Sequence, residues 1–230
     1  SYVKGDITKY EQVVDAFQGC ECVWHIAALV GPYHAFDMYY EVNYKGTLNV
    51  INACRELGIR KIVMSSSPST RFDGKDVAGK GVKDLKFPEK YQHAYAETKA
   101  MGERAVSEAC DGKDLLTVSI APHQVYGPRD TLFLHNFLKA ARKLRIMGNG
   151  RNKISMTHVD NYCHGLILGE KALYPGSPAL GNFYVVADKE PQYLWKVLDN
   201  GVVSMGYDSL YSKASVPSWV IMPVAYVLQF

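Results

Sequence analysis

The side chains in this sequence best suited to acid–base chemistry are Tyr95 and Lys99, which stand four residues apart. In a helix this spacing places both side chains on one face. A free phenol, with a pKa of about 10, is a poor base at neutral pH, but a nearby ammonium stabilises the phenolate and lowers that pKa. The pair therefore predicts a proton acceptor for a substrate hydroxyl. Because the chain holds 16 tyrosines, such a pair also arises readily by chance, and the spacing alone proves nothing.

A run of three serines at residues 65–67 gives the pair a context, because it ends a predicted strand over residues 61–64. The helix that carries Tyr95 follows this strand, so the hydroxyls of Ser67 and Tyr95 can meet at the carboxyl edge of a sheet. Together they can bind one substrate oxygen, while Lys99 holds the phenol and a cofactor ribose. The serines alone are better interpreted as a polar strand-to-loop transition. In combination with the tyrosine and the lysine they indicate a functional site.

The elements that must position these residues alternate between short apolar runs and helical patterns. The sequence predicts strands over residues 22–28, 61–64 and 115–120 and helices over 9–17, 35–57 and 91–109. Such alternation is typical of a doubly wound α/β fold with a parallel sheet, in which ligands lie beyond the carboxyl ends of the strands. The residues at those ends are the serine run together with Asp6, Ala27, Ala28, Pro122 and His123.

The pattern changes after residue 127. A helix over 133–144, a turn over 148–150, a helix that starts near Asp160 and a short strand over 182–186 are predicted there, and they form a looser second part.

Composition excludes several classes of protein. Hydrophobic residues make up 47% of the chain and charged residues 21%, which excludes intrinsic disorder. The net charge of +3 with no long basic run gives no electrostatic indication of a nucleic-acid partner. The 5 cysteines are scattered and odd in number, which indicates reduced thiols rather than a disulfide framework. No histidines and cysteines have the spacing of a metal site, and His25, in a predicted buried strand, is expected to be a hydrogen-bonded core residue.

Several motifs occur in an order that resembles a known family. They are Gly5-Asp6-Ile7, His25-Ile26-Ala27-Ala28, Val42-Asn43-Tyr44-Lys45-Gly46-Thr47, the serine run and Tyr95-Ala96-Glu97-Thr98-Lys99. In this order they resemble an extended short-chain dehydrogenase/reductase, whose fold is Rossmann-like. The similarity extends over essentially the whole chain and is narrowed to the 3β-hydroxysteroid dehydrogenase branch by Pro122-His123-Gln124-Val125-Tyr126-Gly127-Pro128-Arg129-Asp130, Gly148-Asn149-Gly150, Thr157-His158-Val159-Asp160-Asn161 and Pro217-Ser218-Trp219-Val220.

The resemblance implies a role for each residue at the predicted edge. Tyr95 would be the proton acceptor, Lys99 its activator and a ribose ligand, and Ser67 the catalytic serine, with Ser66 beside the cofactor and taking that role if the register shifts by one. Asn43 would fix the long helix against the sheet. The cofactor would be NAD or NADP, with NAD favoured, and besides Tyr95 and Lys99 its contacts would be Asp6 and Ile7 at the adenine ring, Ala27 and Ala28 along the dinucleotide, and Pro122 and His123 near the nicotinamide.

Two features depart from the family's pattern. The glycine-rich phosphate loop G-x-x-G-x-x-G, whose backbone N–H groups supply much of the pyrophosphate affinity, does not occur in the sequence. The residue that selects NAD or NADP goes with it. We therefore expect a fragment that lacks the first β-α-β units and binds a dinucleotide weakly by itself. Ala121 stands where the family has an arginine, which affects one local contact rather than the reaction class.

Three parts are predicted along the chain. Residues 1–127 form the remainder of the dinucleotide-binding domain with the catalytic residues, residues 128–213 a small substrate-binding part, and residues 214–230 the start of a charge-free apolar segment. Trp219 in that segment suits a bilayer interface. The expectation is association with the endoplasmic reticulum membrane, with the catalytic part facing the cytosol, and the alternative is a core helix of the substrate-binding part. The tyrosines of the long helix, Tyr39, Tyr40 and Tyr44, have two possible roles, either in a homodimer surface or in core packing.

The reaction implied is oxidation of the 3β-hydroxyl of a sterol or steroid by a nicotinamide cofactor. If the substrate carries a 4α-carboxylate, the product is a β-keto acid, which loses carbon dioxide because the electrons left behind delocalise into the ketone. The same tyrosine and serine would stabilise that enolate. The alternatives are another extended family member, such as a nucleotide-sugar epimerase or a dihydroflavonol-type reductase, and a non-catalytic dinucleotide-binding protein.

Overall fold

A computed structural model describes residues 2–31 and 34–228. Its strands are β1 (Cys22–His25), β2 (Lys61–Ser65), β3 (Leu116–Pro122), β4 (Gln124–Tyr126), β5 (Lys153–Ile154), β6 (Met156–His158), β7 (Phe183–Val186) and β8 (Gln192–Tyr193). Its α-helices are α1 (Tyr10–Phe17), α2 (Phe36–Tyr39), α3 (Gly46–Glu56), α4 (Ala94–Glu108), α5 (Leu134–Lys139), α6 (Val159–Lys171), α7 (Leu194–Ser204) and α8 (Ser218–Leu228).

A parallel four-stranded sheet in the order β1-β2-β3-β7 organises the first compact unit, which comprises residues 1–123 and 162–186. Lys61 pairs with Cys22 on one side and with Leu116 on the other, and Ser119 pairs with Phe183. The hydrogen bond from the Ser66 amide to the Ile120 carbonyl, 2.8 Å, continues the β2–β3 ladder past the end of β2. The predicted parallel α/β sheet is confirmed.

Side chains alternate between the two faces of the sheet, as the pleat of a strand requires. Val23, Ile62 and Met64 share one core cluster with residues of α1, α3 and α4. Val118 and Ile120 face the other way, where α6 packs closely enough that a Cβ on Gly169 would lie 3.2 Å from Ile120. Helices therefore cover both faces of the sheet, which is the doubly wound arrangement that the sequence predicts.

The structure differs from the sequence pattern in two places. Strand β1 ends at His25 instead of Ala28, so both alanines lie in the loop beyond the strand. Strand β7, which the pattern assigns to the second part of the chain, pairs with β3 in the main sheet. The division of the chain at residue 127 stays a prediction about function.

The second compact unit comprises residues 124–161 and 187–230. It has its own core cluster, in which Trp195, Leu198 and Val202 of α7 pack with Ala141, Leu144, Ile146 and Leu210. Asp188 accepts hydrogen bonds from the His158 amide, the Asn161 side chain and the Tyr126 hydroxyl, and so ties β4 to β6. In the part of the chain that the structure describes, no helix is long and apolar enough to cross a membrane.

The long helix predicted over 35–57 is interrupted. It consists of α2, a π-helical segment over Tyr40–Lys45, and α3. The extra residue of a π turn changes which side chains face the sheet, and such turns often occur at functional sites. Here the turn contains Asn43, which is buried with 2% exposure. Of the three tyrosines on this helix, Tyr39 belongs to the core at 1% exposure, while Tyr40 and Tyr44 are half-buried.

Candidate active site

The Ser67 hydroxyl is a hydrogen-bonding neighbour of the Tyr95 phenol at the carboxyl edge of the sheet. Tyr95 stands in the first turn of α4, and Ser67 follows the end of β2. Ser67 Oγ also lies 2.8 Å from Ser69 Oγ, at the start of a 3₁₀ turn over Pro68–Arg71. The structure therefore brings together the two hydroxyls that the sequence places at this edge. Two hydroxyls placed in this way can both contact one substrate oxygen.

Lys99 lies one turn along α4 from Tyr95 and is buried, with 3% exposure. Its Nζ donates a hydrogen bond of 2.8 Å to the backbone carbonyl of Ser65, and this is its only hydrogen bond among the described residues. Burial lowers the pKa of Lys99 to about 8, although the Glu103 carboxylate acts in the opposite direction. An ammonium with N–H donors left over at this position suits a hydroxyl-bearing ligand such as a ribose.

The pKa of Tyr95 is raised above its ordinary value, against the expectation that Lys99 lowers it. Burial is the main cause, the hydrogen bond with Ser67 acts in the opposite direction, and Tyr39 raises the pKa further. Tyr39 packs edge-on against the Tyr95 ring, with the centroids 6.0 Å apart. Desolvation disfavours the phenolate here because burial removes the water that would stabilise its charge. The i, i+4 spacing is therefore correct as placement, and its predicted electrostatic effect is not found.

The loop after β1 is held by Asn43 of the π turn. The Asn43 side chain accepts from the Leu29 amide at 2.8 Å and donates to the Leu29 carbonyl at 3.1 Å. These two bonds set the path of the loop that carries Ala27, which is exposed, and Ala28, which is half-buried. Asn43 acts as the structural residue that the sequence suggests, although its partner is this loop.

Gly102 allows α4 and the π turn to approach closely. A Cβ at this position would lie 2.6 Å from the Asn43 carbonyl oxygen and 3.1 Å from Thr47 Oγ1. Real side chains do not approach so closely, so only glycine fits without a shift of the backbone. The close contact fixes α4, and with it Tyr95 and Lys99, relative to the loop after β1.

His25 is a core residue, as predicted. It is buried, and its Nε2 lies 2.8 Å from Thr47 Oγ1. Thr47 donates its one hydroxyl proton to the Asn43 carbonyl at 2.7 Å, so Nε2 of His25 is the donor to Thr47. Burial, together with the charge of Lys99, lowers the pKa of His25 to about 3.

Ser66 lies next to the site but its hydroxyl faces away from it, since it donates to the buried carboxylate of Glu103. Ser65 is likewise occupied, because its Oγ accepts from the Tyr162 hydroxyl at 2.5 Å. Burial raises the pKa of Tyr162 to about 12. Of the three serines, Ser67 is the one whose hydroxyl meets Tyr95. Sequence reasoning missed Glu103 and Tyr162, because both depend on contacts between distant parts of the chain.

The remaining residues of the predicted edge lie at strand ends and turns. Pro122 ends β3, and His123 follows it, where burial lowers the pKa of His123. Asp6 precedes α1, and its Oδ1 accepts 2.9 Å hydrogen bonds from the amide and hydroxyl of Thr8, which lower the pKa of Asp6. Ile7 packs against α3, where a Cβ on Gly46 would come within 2.8 Å of its side chain. The hydrogen bonds of Asp6 and Ile7 within the described residues go to Thr8, Lys9, Gln12 and Asn49 rather than to Tyr95 or Lys99.

The side chains along this edge fit a dinucleotide. Small residues follow β1, the buried ammonium of Lys99 keeps donors for a ribose, and the hydroxyls beside Lys99 form the place where a substrate oxygen would lie. The descriptions of related proteins agree with this chemistry.

The family model of the "3-beta hydroxysteroid dehydrogenase/isomerase family" matches residues 1–214. The chain belongs to this family. Among curated 3-beta hydroxysteroid dehydrogenase relatives, the human "Sterol-4-alpha-carboxylate 3-dehydrogenase, decarboxylating" is 35% identical over 94% of this chain and 58% of its own length. The "2-alkyl-3-oxoalkanoate reductase" of Stenotrophomonas maltophilia is 33% identical over 89% of this chain and 62% of its own length.

The chain spans about half the length of the first curated relatives that it matches, between 41% and 58%. A solved structure of MoeE5 in complex with UDP-glucuronic acid and NAD superposes with a TM-score of 0.75 at 22% identity, over 94% of this chain and 72% of that one. This likeness supports the extended short-chain dehydrogenase fold that the family match also indicates.

Proposed function

We propose that the protein is an NAD(P)-dependent dehydrogenase that oxidises the 3β-hydroxyl of a sterol carrying a 4α-carboxylate, with loss of that carboxylate, and that NAD is its preferred cofactor. The observation that carries the proposal is that the Ser67 hydroxyl is a hydrogen-bonding neighbour of the Tyr95 phenol, with the buried ammonium of Lys99 one turn along the same helix. This arrangement provides a proton acceptor, a donor to the same substrate oxygen, and a fixed positive charge.

The names of the two relatives support the class of substrate. One names a carboxylate at C4 beside a reaction at C3, and the other names an oxo group at C3 of an alkanoate. In both, the reacting carbon–oxygen group is β to a carboxylate. We infer that this chain acts on a secondary alcohol β to a carboxylate, and the higher coverage and the family match favour the cyclic sterol over the acyclic acid.

The proposed mechanism assigns one task to each side chain. Tyr95 accepts the proton of the substrate hydroxyl, and Ser67 donates a hydrogen bond to the same oxygen. Ser67 favours the phenolate that forms, in opposition to the burial that raises the pKa of Tyr95, and Lys99 one turn along the helix binds the cofactor ribose. A bound cofactor, held by Lys99 and by the residues that follow β1 and β3, supplies the hydride acceptor. After oxidation, the hydroxyls of Tyr95 and Ser67 stabilise the enolate left by the departing carbon dioxide.

The test is an assay of the full-length protein, including any segment that flanks these residues, with NAD or NADP and a 3β-hydroxy-4α-carboxysterol. We expect reduction of the nicotinamide, measured by absorbance. A substrate labelled at its carboxylate carbon should release labelled carbon dioxide at the same time. A 2-alkyl-3-hydroxyalkanoate and a UDP-sugar serve as competing substrates. Turnover of either competitor above that of the sterol would contradict the proposal. Tyr95→Phe is the inactive control, and Tyr2→Phe, at an exposed tyrosine outside the site, is the matched active one.

We also propose that α8 associates with a membrane, at the endoplasmic reticulum with the catalytic part on the cytosolic side. Trp219 is 77% exposed and Met222 67% exposed, and no residue from 214 to 230 is charged. Apolar side chains presented by a helix without charges suit the boundary between headgroups and acyl chains. Flotation with phospholipid vesicles tests this: the double variant Trp219→Ser, Met222→Ser should stay with the soluble fraction. Tyr211→Ser, at a 54% exposed position, should float like the parent.

A further inference from the structure

The carboxylate of Glu103 is buried, with 2% exposure of the residue, and accepts three hydrogen bonds. The donors are Ser66 Oγ, the guanidinium of Arg71, and Thr70 Oγ1 at 3.0 Å, whose one proton is shared with the Ser67 carbonyl at 2.8 Å. All three belong to the short stretch that carries Ser67, which is the one hydroxyl of the group directed to Tyr95. These hydrogen bonds attach the 3₁₀ turn that begins beside Ser67 to α4, the helix that carries Tyr95 and Lys99.

The arginine of this cluster is itself held in place. Its guanidinium carbon lies 3.5 Å from the centroid of the Phe87 ring and 4.4 Å from that of Phe183. A side chain confined on both sides presents its donors to Glu103 in one geometry, and such preorganised pairs are the strong ones. Breaking a buried pair by removing one partner leaves an uncompensated charge, so the cluster holds the turn firmly.

Glu103 also lies one helical turn from Lys99, on the same face of α4. Its negative charge favours the protonated form of Lys99 and so opposes the effect of burial. The charge of this ammonium also acts on His25, whose pKa of about 3 keeps it neutral. The only carboxylate that acts on Lys99 among the described residues is therefore the one that holds the Ser67 turn.

We propose that Glu103 is a positioning residue of the active site, which holds the Ser67 turn against the helix that carries Tyr95 and Lys99. The proposal rests on the proposed dehydrogenase function. Because a buried ion pair contributes little to stability on average, the placement of all three donors around Ser67 is the stronger argument for a functional role. Glu103 acts through its neighbours and touches neither the phenol of Tyr95 nor the hydroxyl of Ser67.

The experiment compares Glu103→Gln with Glu108→Gln, an exposed glutamate near the end of the same helix, in the full-length protein. In Glu103→Gln we expect the amides of Thr70 and Phe72, which donate to carbonyls of the turn, to exchange with deuterium about tenfold faster, as the loss of one charge-assisted hydrogen bond would cause. The kcat of sterol oxidation should fall by at least about the same factor while the KM for the cofactor changes little.

The pH profile adds a readout that a purely structural role would not move. Because removal of the Glu103 charge disfavours protonated Lys99, the loss of activity on raising the pH should begin at a lower pH in Glu103→Gln than in Glu108→Gln. Glu103→Asp, which keeps the charge, should recover part of kcat. It should also move the pH at which activity begins to fall back towards that of the parent. If Glu103→Gln does not fold, Ser66→Ala, which removes a donor whose one side-chain hydrogen bond among the described residues is to Glu103, replaces it in the exchange and kcat measurements.

The proposal is overturned if Glu103→Gln, or Ser66→Ala in its place, keeps the parent's kcat, or loses kcat with no faster exchange of the turn. It is likewise overturned if the turn loosens and kcat stays unchanged, since the cluster is then structural only. An inactive parent refutes the proposed function instead. In that case the exchange rates still decide whether Glu103 holds the turn. An NMR titration of the Lys99 side chain in the parent and in Glu103→Gln decides whether Glu103 acts on Lys99, because neither measurement needs turnover.

Discussion

Lys99→Met should change how the stability of the protein depends on pH. In the folded protein, burial lowers the pKa of Lys99 from 10.5 to about 8. At about 1.4 kcal/mol for each tenfold change in proton affinity, the folded state disfavours the ammonium by about 3 kcal/mol relative to the unfolded chain. The group is 3% exposed, so solvent screening takes little from this figure. Methionine fills a similar volume and carries no charge.

The sign follows from proton linkage. Between the folded pKa of about 8 and the unfolded value of 10.5, the unfolded chain holds a proton on Lys99 that the folded chain has released. Stability therefore rises with pH across this window, because the unfolded state binds more protons. Below about pH 8 the parent carries the full cost of the buried charge, and above 10.5 the cost is gone. Lys99→Met carries no such cost at any pH.

The assay is urea unfolding followed by circular dichroism from pH 7 to pH 10.5, the upper end of the window. The free energy of unfolding of the parent should rise relative to Lys99→Met by about 3 kcal/mol across that range. The unpaired carbonyl of Ser65 in the variant costs about 1 kcal/mol or more, but this cost does not vary with pH. Lys90→Met, at an exposed lysine in the loop before α4, should run parallel to the parent.

Parallel curves for the parent and Lys99→Met would refute the reasoning, since they would mean that Lys99 titrates alike in the folded and unfolded states. A curve for the parent that falls relative to the variant as the pH rises would contradict the sign.

Three further predictions concern the same site. Tyr95→Phe should lower the rate of sterol oxidation by about 10²–10⁴-fold and leave dinucleotide affinity, measured by calorimetry, nearly unchanged. A rate within tenfold of that of the parent would contradict the role of Tyr95 as proton acceptor. Gly102→Ala should lower the free energy of unfolding by about 1–3 kcal/mol, because its Cβ would meet the Asn43 carbonyl at 2.6 Å, whereas Gly5→Ala, with its nearest contact at 3.7 Å, should be nearly neutral in the same urea titration. Asn43→Ala should speed deuterium exchange at the Leu29 amide, because that amide loses the Asn43 side chain as its acceptor. Unchanged exchange at Leu29 would show that Asn43 does not hold the loop after β1.

Much of the site follows from local patterns. A helix repeats every 3.6 residues, so Tyr95 and Lys99 had to share a face once α4 formed. Parallel strands bring their carboxyl ends to one edge, so the serine run and the segment at Pro122 had to lie at that edge. The apolar run around His25 likewise indicated a core histidine. These predictions succeeded because each depends on residues a few positions apart or on the general topology of an α/β sheet.

The tertiary structure decided what depends on distant partners. Burial shifts the pKa of both Tyr95 and Lys99, and it is modified by Tyr39 and Ser67 at the phenol and by Glu103 at the ammonium. Which serine faces the phenol was settled by Glu103, which takes the Ser66 hydroxyl and leaves that of Ser67. Strand β7 joined the main sheet because β3 offered it a free edge, which a pattern of single residues does not record. Periodicity is encoded locally, whereas desolvation and hydrogen-bond partners exist only once the chain has folded, and they determine the chemistry of this site.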